Sequence, residues 1–444
     1  MWERLRSVWT VPDLRNKILF TLGILLITRV LANIPVPLTS AEQSALRGLF
    51  SNPNSNGNLG QIFGLLDVFS GGNLQHFSII AMGVYPYITA TIVMQLLQPI
   101  IPALQNLSQE GEAGRLRFSQ ITRIISVPLA FLQALGYIAI FVNAQVLDPT
   151  TFNLFGTNWL QALAILMSLT AGTMILVWLG ELITEKGIGN GISLIIFAGI
   201  VSGLPGYIRQ DFLTSSSSNS GIISMAVFLL VGLLTILSIV YIYQGQRRVP
   251  VQYPTKRVVG RGLLVGSAQT TYIPMQVNSA GMIPLIFAQS MLIFPEVLSR
   301  YLASSNTPWL KNFALWVATY VVNPSLWWYA LALGTLVVLF TFFYATVLWQ
   351  QQNIPENLQK QGAFIPGYRP GEPTRRHMEG ILYRITLGGA LFLGIVAALP
   401  YITRVGGNQL LSSTAVLIVV GVVLDTVKQL EAQMVMRNYS GFLS

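Results

Sequence analysis

Residue types able to do covalent chemistry are scarce in this chain of 444 residues. It holds two histidines, His76 and His377, and no cysteine. Disulfides, cysteine-ligated zinc and thiol nucleophiles are therefore excluded. No P-loop, His-Glu-x-x-His helix or nucleophile elbow occurs. Gly187-Ile188-Gly189-Asn190-Gly191 is glycine-rich, but no strand precedes it and no phosphate-binding lysine follows, so a tight turn is expected there. What stands out instead is a few polar groups inside long apolar runs: Arg29, Gln95, Asn278 and Asp425. A charge near a helix centre in lipid costs about 2.5–3.5 kcal/mol on insertion scales, against about 0.3–0.6 gained for each Leu, Ile, Phe or Val. The run from Val416 to Leu424 offsets Asp425. Gln95 and Asn278 are uncharged and suit hydrogen bonding between helices. No metal and no cofactor is expected.

Such groups need membrane-spanning helices to position them. Hydrophobic residues make up 52% of the chain and charged residues 9%, and a crossing of the hydrocarbon core takes roughly 20 mainly apolar residues. Ten segments qualify: 18–35, 77–99, 121–142, 159–179, 191–205, 221–243, 275–297, 327–349, 381–402 and 409–428. The fold class expected is an all-α integral membrane protein. Lys and Arg set its orientation, acidic residues contributing little. Twenty of the 26 lie in the N-terminal segment, the loops that follow even-numbered spans and the C-terminal tail; Arg47, Arg209, Arg300, Lys311 and Arg404 lie on the other side, and Arg29 within a span. Both termini are thus expected to be cytoplasmic, with the two histidines on opposite faces. The first span is long for a signal peptide, and Asn33-Ile34-Pro35 is a poor cleavage site, so it is read as retained. Residues 1–17 before it, with Trp2, Leu5, Val8 and Trp9, suit an amphipathic interfacial segment.

Five spans precede the loop at 206–220 and five follow. An odd number per half makes the halves enter the membrane from opposite sides, the condition for inverted repeats, although no sequence echo is evident. The serine-rich run at 215–220 suits an external hinge. Residues 18–205 and 221–434 then form the two halves, with a cytoplasmic tail at 435–444. Segment 59–75 breaks the pattern. Ile62, Phe63, Leu65, Leu66, Val68 and Phe69 make an apolar half-helix too short to cross, and Ser70 leads into Gly71-Gly72, which stop it. This reads as a re-entrant element, tolerated only where protein or a water-filled cavity surrounds it. Two long loops are basic. Residues 244–273 carry Arg247, Arg248, Lys256, Arg257 and Arg261, with Val249, Val251 and Tyr253 at strand period; Pro250 and Pro254 weaken a regular strand, so a loose hairpin-like projection is expected. Residues 350–380 carry Gly362 to Gly371, whose Gly/Pro turns hold Arg369 at a defined place. Basic cytoplasmic loops suit anionic lipid, RNA or acidic protein.

Phe69-Ser70-Gly71-Gly72, Tyr85-Pro86-Tyr87-Ile88-Thr89-Ala90, Trp178-Leu179-Gly180-Glu181, Gly187 to Ser193, Gly245-Gln246-Arg247-Arg248 and Gly362 to Gly371 occur together and in order. On these stretches the chain resembles the SecY family of protein-conducting channels over essentially its whole length. The resemblance implies ten helices in two inverted five-helix halves, closing as a clamshell around an hourglass pore, with 59–75 as a plug. It implies a constriction of Val84, Ile88, Ile192, Ile196, Ile286 and Ile418. It also implies a lateral gate between spans 2–3 and 7–8, with Gln95 and Asn278 on the two gate-forming helices that face each other. The implied partners are SecE and SecG membrane subunits, the SecA motor ATPase and the ribosome on the basic loops, and signal-bearing polypeptides. The implied setting is the bacterial plasma membrane, and the chain itself is not expected to be an enzyme. The competing reading is an inverted-repeat secondary transporter of a small solute, which scarce intramembrane charge disfavours.

Overall fold

The computed structural model describes residues 12–38, 42, 44, 70, 74, 77–143, 159–215, 219–259, 263–303, 307–321, 323, 326–402 and 413–440. The described elements in order are α1 (Pro12–Ala32), α2 (Tyr85–Leu97), α3 (Pro102–Gln109), α4 (Glu112–Asn143), α5 (Trp159–Lys186), α6 (Gly191–Ser215), α7 (Asn219–Gln244), β1 (Gln246–Val259), β2 (Leu263–Gln276), α8 (Ile283–Ala303), α9 (Pro308–Trp316), α10 (Trp327–Gln352), α11 (Ile354–Lys360), α12 (Glu372–Ile402) and α13 (Ser413–Ser440). Each expected span coincides with one of these helices. Among the described residues, four stretches are long and apolar enough to cross a membrane: Leu116–Ala139, Trp159–Lys186, Trp327–Lys360 and Glu372–Leu399.

The two helices expected to form the gate depart from the expectation of unbroken spans at 77–99 and 275–297. Turns occupy 77–84 and 277–282, and helix begins only at Tyr85 and Ile283. The cause is local and the same in both. Gly83 and Gly281 adopt φ +60° and +65°, a region open to glycine without penalty. Pro86 and Pro284 follow three residues later, at the helix starts that proline favours. The irregular backbone is satisfied inside the protein: Val36 N–H donates to Phe77 O (3.0 Å), Ile79 N–H to Ile34 O (3.0 Å) and Val277 N–H to Gly245 O (2.9 Å).

Three other boundaries move. The expected hinge loop at 206–220 is largely helical, because α6 runs through Pro205 to Ser215 and α7 starts at Asn219. An internal proline removes one helical hydrogen bond, a loss that neighbouring helices in a bundle can absorb. The tail expected at 435–444 is helical as far as Ser440. The hairpin is a regular antiparallel ladder from Gln246↔Gln276 to Val259↔Leu263, so Pro250 and Pro254 do not weaken it. Gln252 turns both its N–H and its C=O away from β2, onto Phe364 (2.9 and 3.0 Å). Residues 250 and 254 share its parity, so the N–H groups that proline lacks belong to the outer edge and no ladder bond is lost.

The glycine-rich turn sets α5 against α6. Asn190 caps α6, its Oδ1 accepting from Ser193 N–H at 3.2 Å, and Thr184 Oγ1 accepts from Gly191 N–H at 2.9 Å. A Cβ on Gly191 would lie 1.9 Å from Gly180 O, a contact between two backbones with no flexible side chain to move aside. Gly191→Ala should therefore cost stability of the order of 1–3 kcal/mol, as overpacking does. Gly232→Ala, whose added methyl meets nothing within 4 Å, should cost none. Thermal unfolding of the two purified variants in detergent checks the contrast.

Candidate functional site

The six residues expected at a constriction come from four separated stretches. Val84 closes the turn into α2 and Ile88 lies one helical turn further on. Ile192 and Ile196 occupy the start of α6, Ile286 the first turn of α8, and Ile418 the first half of α13. Val84, Ile196, Ile286 and Ile418 are buried in one aliphatic cluster, and half-buried Ile88 and Ile192 pack against it. That cluster draws on α1, α2, α5, α6, α7, α8, α10, α12 and α13, so it joins helices from both halves of the chain. A small cavity beside Val84 and Ile196 is lined also by Gly83, Arg29 of α1 and Ser70. Ser70 is buried and its Oγ accepts from Leu74 N–H (3.2 Å). It belongs to the expected plug; Ile62, Phe63, Leu65, Leu66, Val68, Phe69, Gly71 and Gly72 lie outside the described residues.

Hydrogen bonds cross between the expected gate helices at two levels. Tyr85 Oη donates to Ser290 O (2.8 Å, buried), tying the start of α2 to α8. Gln351 Nε2 donates to Gln98 Oε1 (3.5 Å), tying the end of α2 to α10. Within the first half, Gln133 Nε2 of α4 donates to Thr89 Oγ1 of α2 (3.3 Å). Buried Gln289 and the hydroxyl of Ser290 find no protein partner, nor does Oε1 of Gln95. Each such group costs about 1–3 kcal/mol, so this interface is not a fully satisfied one. Gln95 and Asn278 are not joined across it: Asn278 lies in the turn before α8, its Nδ2 donating to Gly281 O (3.1 Å) and its side chain beside Tyr243 of α7. The irregular start of α8 keeps this residue with its own turn.

Sequence reasoning missed Tyr85, Ser290, Gln98 and Gln351. The one usable signal was Tyr85, a tyrosine at the start of an apolar span, whose hydroxyl needs a partner when buried. Glu181 of the Trp178–Glu181 stretch also gains a role. It pairs with Arg123 and accepts from Ser119 Oγ (3.4 Å), linking α4 to α5.

At one end of the helices the two basic loops form a single platform. Val249 and Val251 of β1, Met275 of β2, Trp349, Leu358, Ala363, Ile365, Met378 and Leu382 share one buried cluster. Gly367 and Gly371 have φ +88° and +102°, and between them Arg369 O accepts from Thr374 Oγ1 (2.8 Å). Tyr368 stacks on His377, ring centroids 3.8 Å apart. The Arg369 side chain is exposed on this fixed turn, as are Arg247 and Arg248 at the hairpin base. Lys256 and Arg257 lie in β1, their side chains outside what is described, and Arg261 lies outside the described residues.

The SecY family model matches residues 78–427. The chain belongs to the SecY family. A relative from Mycobacterium tuberculosis, protein translocase subunit SecY, is 40% identical over 97% of both chains. A solved SecY structure, of a channel whose plug domain stabilises the closed state and maintains a membrane seal, has a TM-score of 0.62 at 19% identity, covering 94% of this chain and 92% of that one. Sec61 in a canine ribosome–channel complex from the endoplasmic reticulum has a TM-score of 0.58 at 17% identity, with the same coverage. The SecY fold thus accounts for the all-α membrane architecture.

Tyr85→Phe deletes one hydrogen bond between α2 and α8 and leaves the ring in place. The closed gate should lose about 0.5–1.5 kcal/mol. Substrates with weakly hydrophobic signals should then cross more readily in reconstituted vesicles, the effect being absent in Tyr87→Phe.

Proposed function

We propose that the chain is the channel subunit of a Sec translocase, passing unfolded polypeptides across a membrane and releasing apolar segments sideways into lipid. The observation that carries this is the aliphatic cluster uniting Val84, Ile88, Ile192, Ile196, Ile286 and Ile418 from both halves, in a chain whose relatives are protein translocase subunits. Family membership displaces the solute-transporter reading.

An aliphatic ring excludes water and ions when empty, because nothing in it solvates them. When occupied it rewraps around any side chain. Segment 59–75, with Ser70 beside the ring, acts as the plug. A hydrophobic signal gains transfer free energy at the lipid-facing seam between α2 and α8, and shifts the closed–open equilibrium because it binds the open state better. The chain is not an enzyme; the driving force comes from a SecA-type motor or a translating ribosome. These dock on Arg247, Arg248, Lys256, Arg257, Arg261 and Arg369, with anionic lipid beside them. SecE and SecG complete the complex in a bacterial plasma membrane, both termini cytoplasmic.

Ile286→Asn should let water bridge the constriction. Raised resting conductance in planar bilayers with transport retained is the expected result; a silent, poorly expressed variant would make Ile286 a general core residue. Arg369→Glu should abolish motor-driven or ribosome-coupled transport while insertion and folding persist, since it reverses one exposed charge on an ordered turn. Normal translocation by that variant in vesicles would remove Arg369 from the dock.

A further inference from the structure

The connection between α8 and α10 lies at the end of α8 remote from the hairpin. It carries α9 and, directly after it, one π-helical turn at Val317–Val321. Three sectors run along it. Leu310, Ala314 and Val317 are spaced i, i+4, i+7; Ala314 is buried and Val317 packs against the main aliphatic cluster. Lys311, Asn312, Leu315 and Thr319 form an exposed, mostly polar sector. Trp309, Phe313, Trp316 and Tyr320, spaced i, i+4, i+7, i+11, form the third.

The aromatic sector is unusual in being both continuous and uncovered. Successive ring centroids are 6.1, 6.5 and 6.4 Å apart, and the four side chains are 75%, 51%, 54% and 64% exposed. Trp327 and Trp328 at the start of α10 are stacked at 4.3 Å and also more than half exposed. Six large aromatic side chains thus stand open at one end of two adjoining membrane helices. Apolar surface on this scale needs a cover.

We propose that this ridge lies in the lipid headgroup zone of the leaflet remote from the hairpin and anchors that end of α8 there. Three features single out lipid as the occupant. Tryptophan and tyrosine favour the interface, where a ring is half apolar and its N–H or O–H stays wet. Only residues 304–306 separate Ala303 from Thr307, a reach of about 13–14 Å at full extension, so α9 cannot leave the membrane end of α8. The ridge is also continued by Trp327 and Trp328, which begin a helix long and apolar enough to cross. Lys311 on the adjoining sector is placed for lipid phosphates. Because α8 is a gate helix, an anchor at its far end makes that end the fixed one when the gate parts.

The absence of cysteine makes single labels unambiguous. Nitroxides at Phe313→Cys and Trp316→Cys, and at Lys311→Cys and Asn312→Cys, can be compared in phosphatidylethanolamine–phosphatidylglycerol vesicles by collision with oxygen and with a water-soluble nickel chelate. The first pair should favour oxygen several-fold over the second pair. If all four sites read alike as aqueous, the ridge stands in water and the proposal fails. Protection of 313 and 316 from both reagents means a protein covers the ridge, which overturns it equally. Unlabelled protein gives a second reading: in lipids brominated near the headgroup, Trp309→Phe with Trp316→Phe should lower the quenched fraction of tryptophan emission. No change in that fraction would count against the anchor.

Discussion

Contact of aliphatic side chain with aliphatic side chain, across helices of both halves, is the interaction on which the rest of this structure depends. It is non-directional and scales with area, so it can be broken and remade against a different partner without any group losing a specific bond. A polar seal would discriminate among the chains passing it. Among the described residues, polar links between α2 and the second half are Tyr85–Ser290 and Gln98–Gln351, toward the two ends of α2. Between those levels aliphatic contact dominates, and the Oε1 of Gln95 is left without a partner.

A second constraint follows from α2 and α8, whose apolar runs begin several residues before the helix does. Exposed polar backbone is not tolerated in hydrocarbon, so the turns at 77–84 and 277–282 have to be enclosed. The first is bonded to the residues following α1 and the second to Gly245 after α7. Both follow one recipe, a left-handed glycine with proline three residues on, in Gly83-Val84-Tyr85-Pro86 and Gly281-Met282-Ile283-Pro284. This is an echo between the halves, only four residues long, whose meaning lies in dihedral angles.

Much of the fold was legible because membrane crossing writes itself in composition. Each expected span is met by a helix, and the basic hairpin and the ordered turn around Arg369 were both foreseen. Hydropathy is blind to a helix that starts late, since the residues of 77–84 are as apolar in a turn as in a helix. Pro250 and Pro254 misled because their parity relative to the ladder cannot be known before the pairing partner is. The constriction residues were selected by family resemblance alone; among so many aliphatic positions, nothing in type or spacing marks Ile286 or Ile418. Asn278, expected within a helical span, lies in the turn that precedes α8, because hydropathy does not register where the helix begins.

The bridge between Gln252 and Phe364 has a mechanical consequence. It clamps the hairpin to the loop leading into α12, while β2 passes into α8 through the six residues 277–282. At the joint, Val277 lies so close to Gly389 of α12 that a Cβ there would sit 2.5 Å from its carbonyl oxygen. The hairpin and the turn that opens α8 therefore both bear on one stretch of chain, Phe364 through the bridge and Gly389 through the close backbone approach, and are not joined to the helices by slack backbone alone.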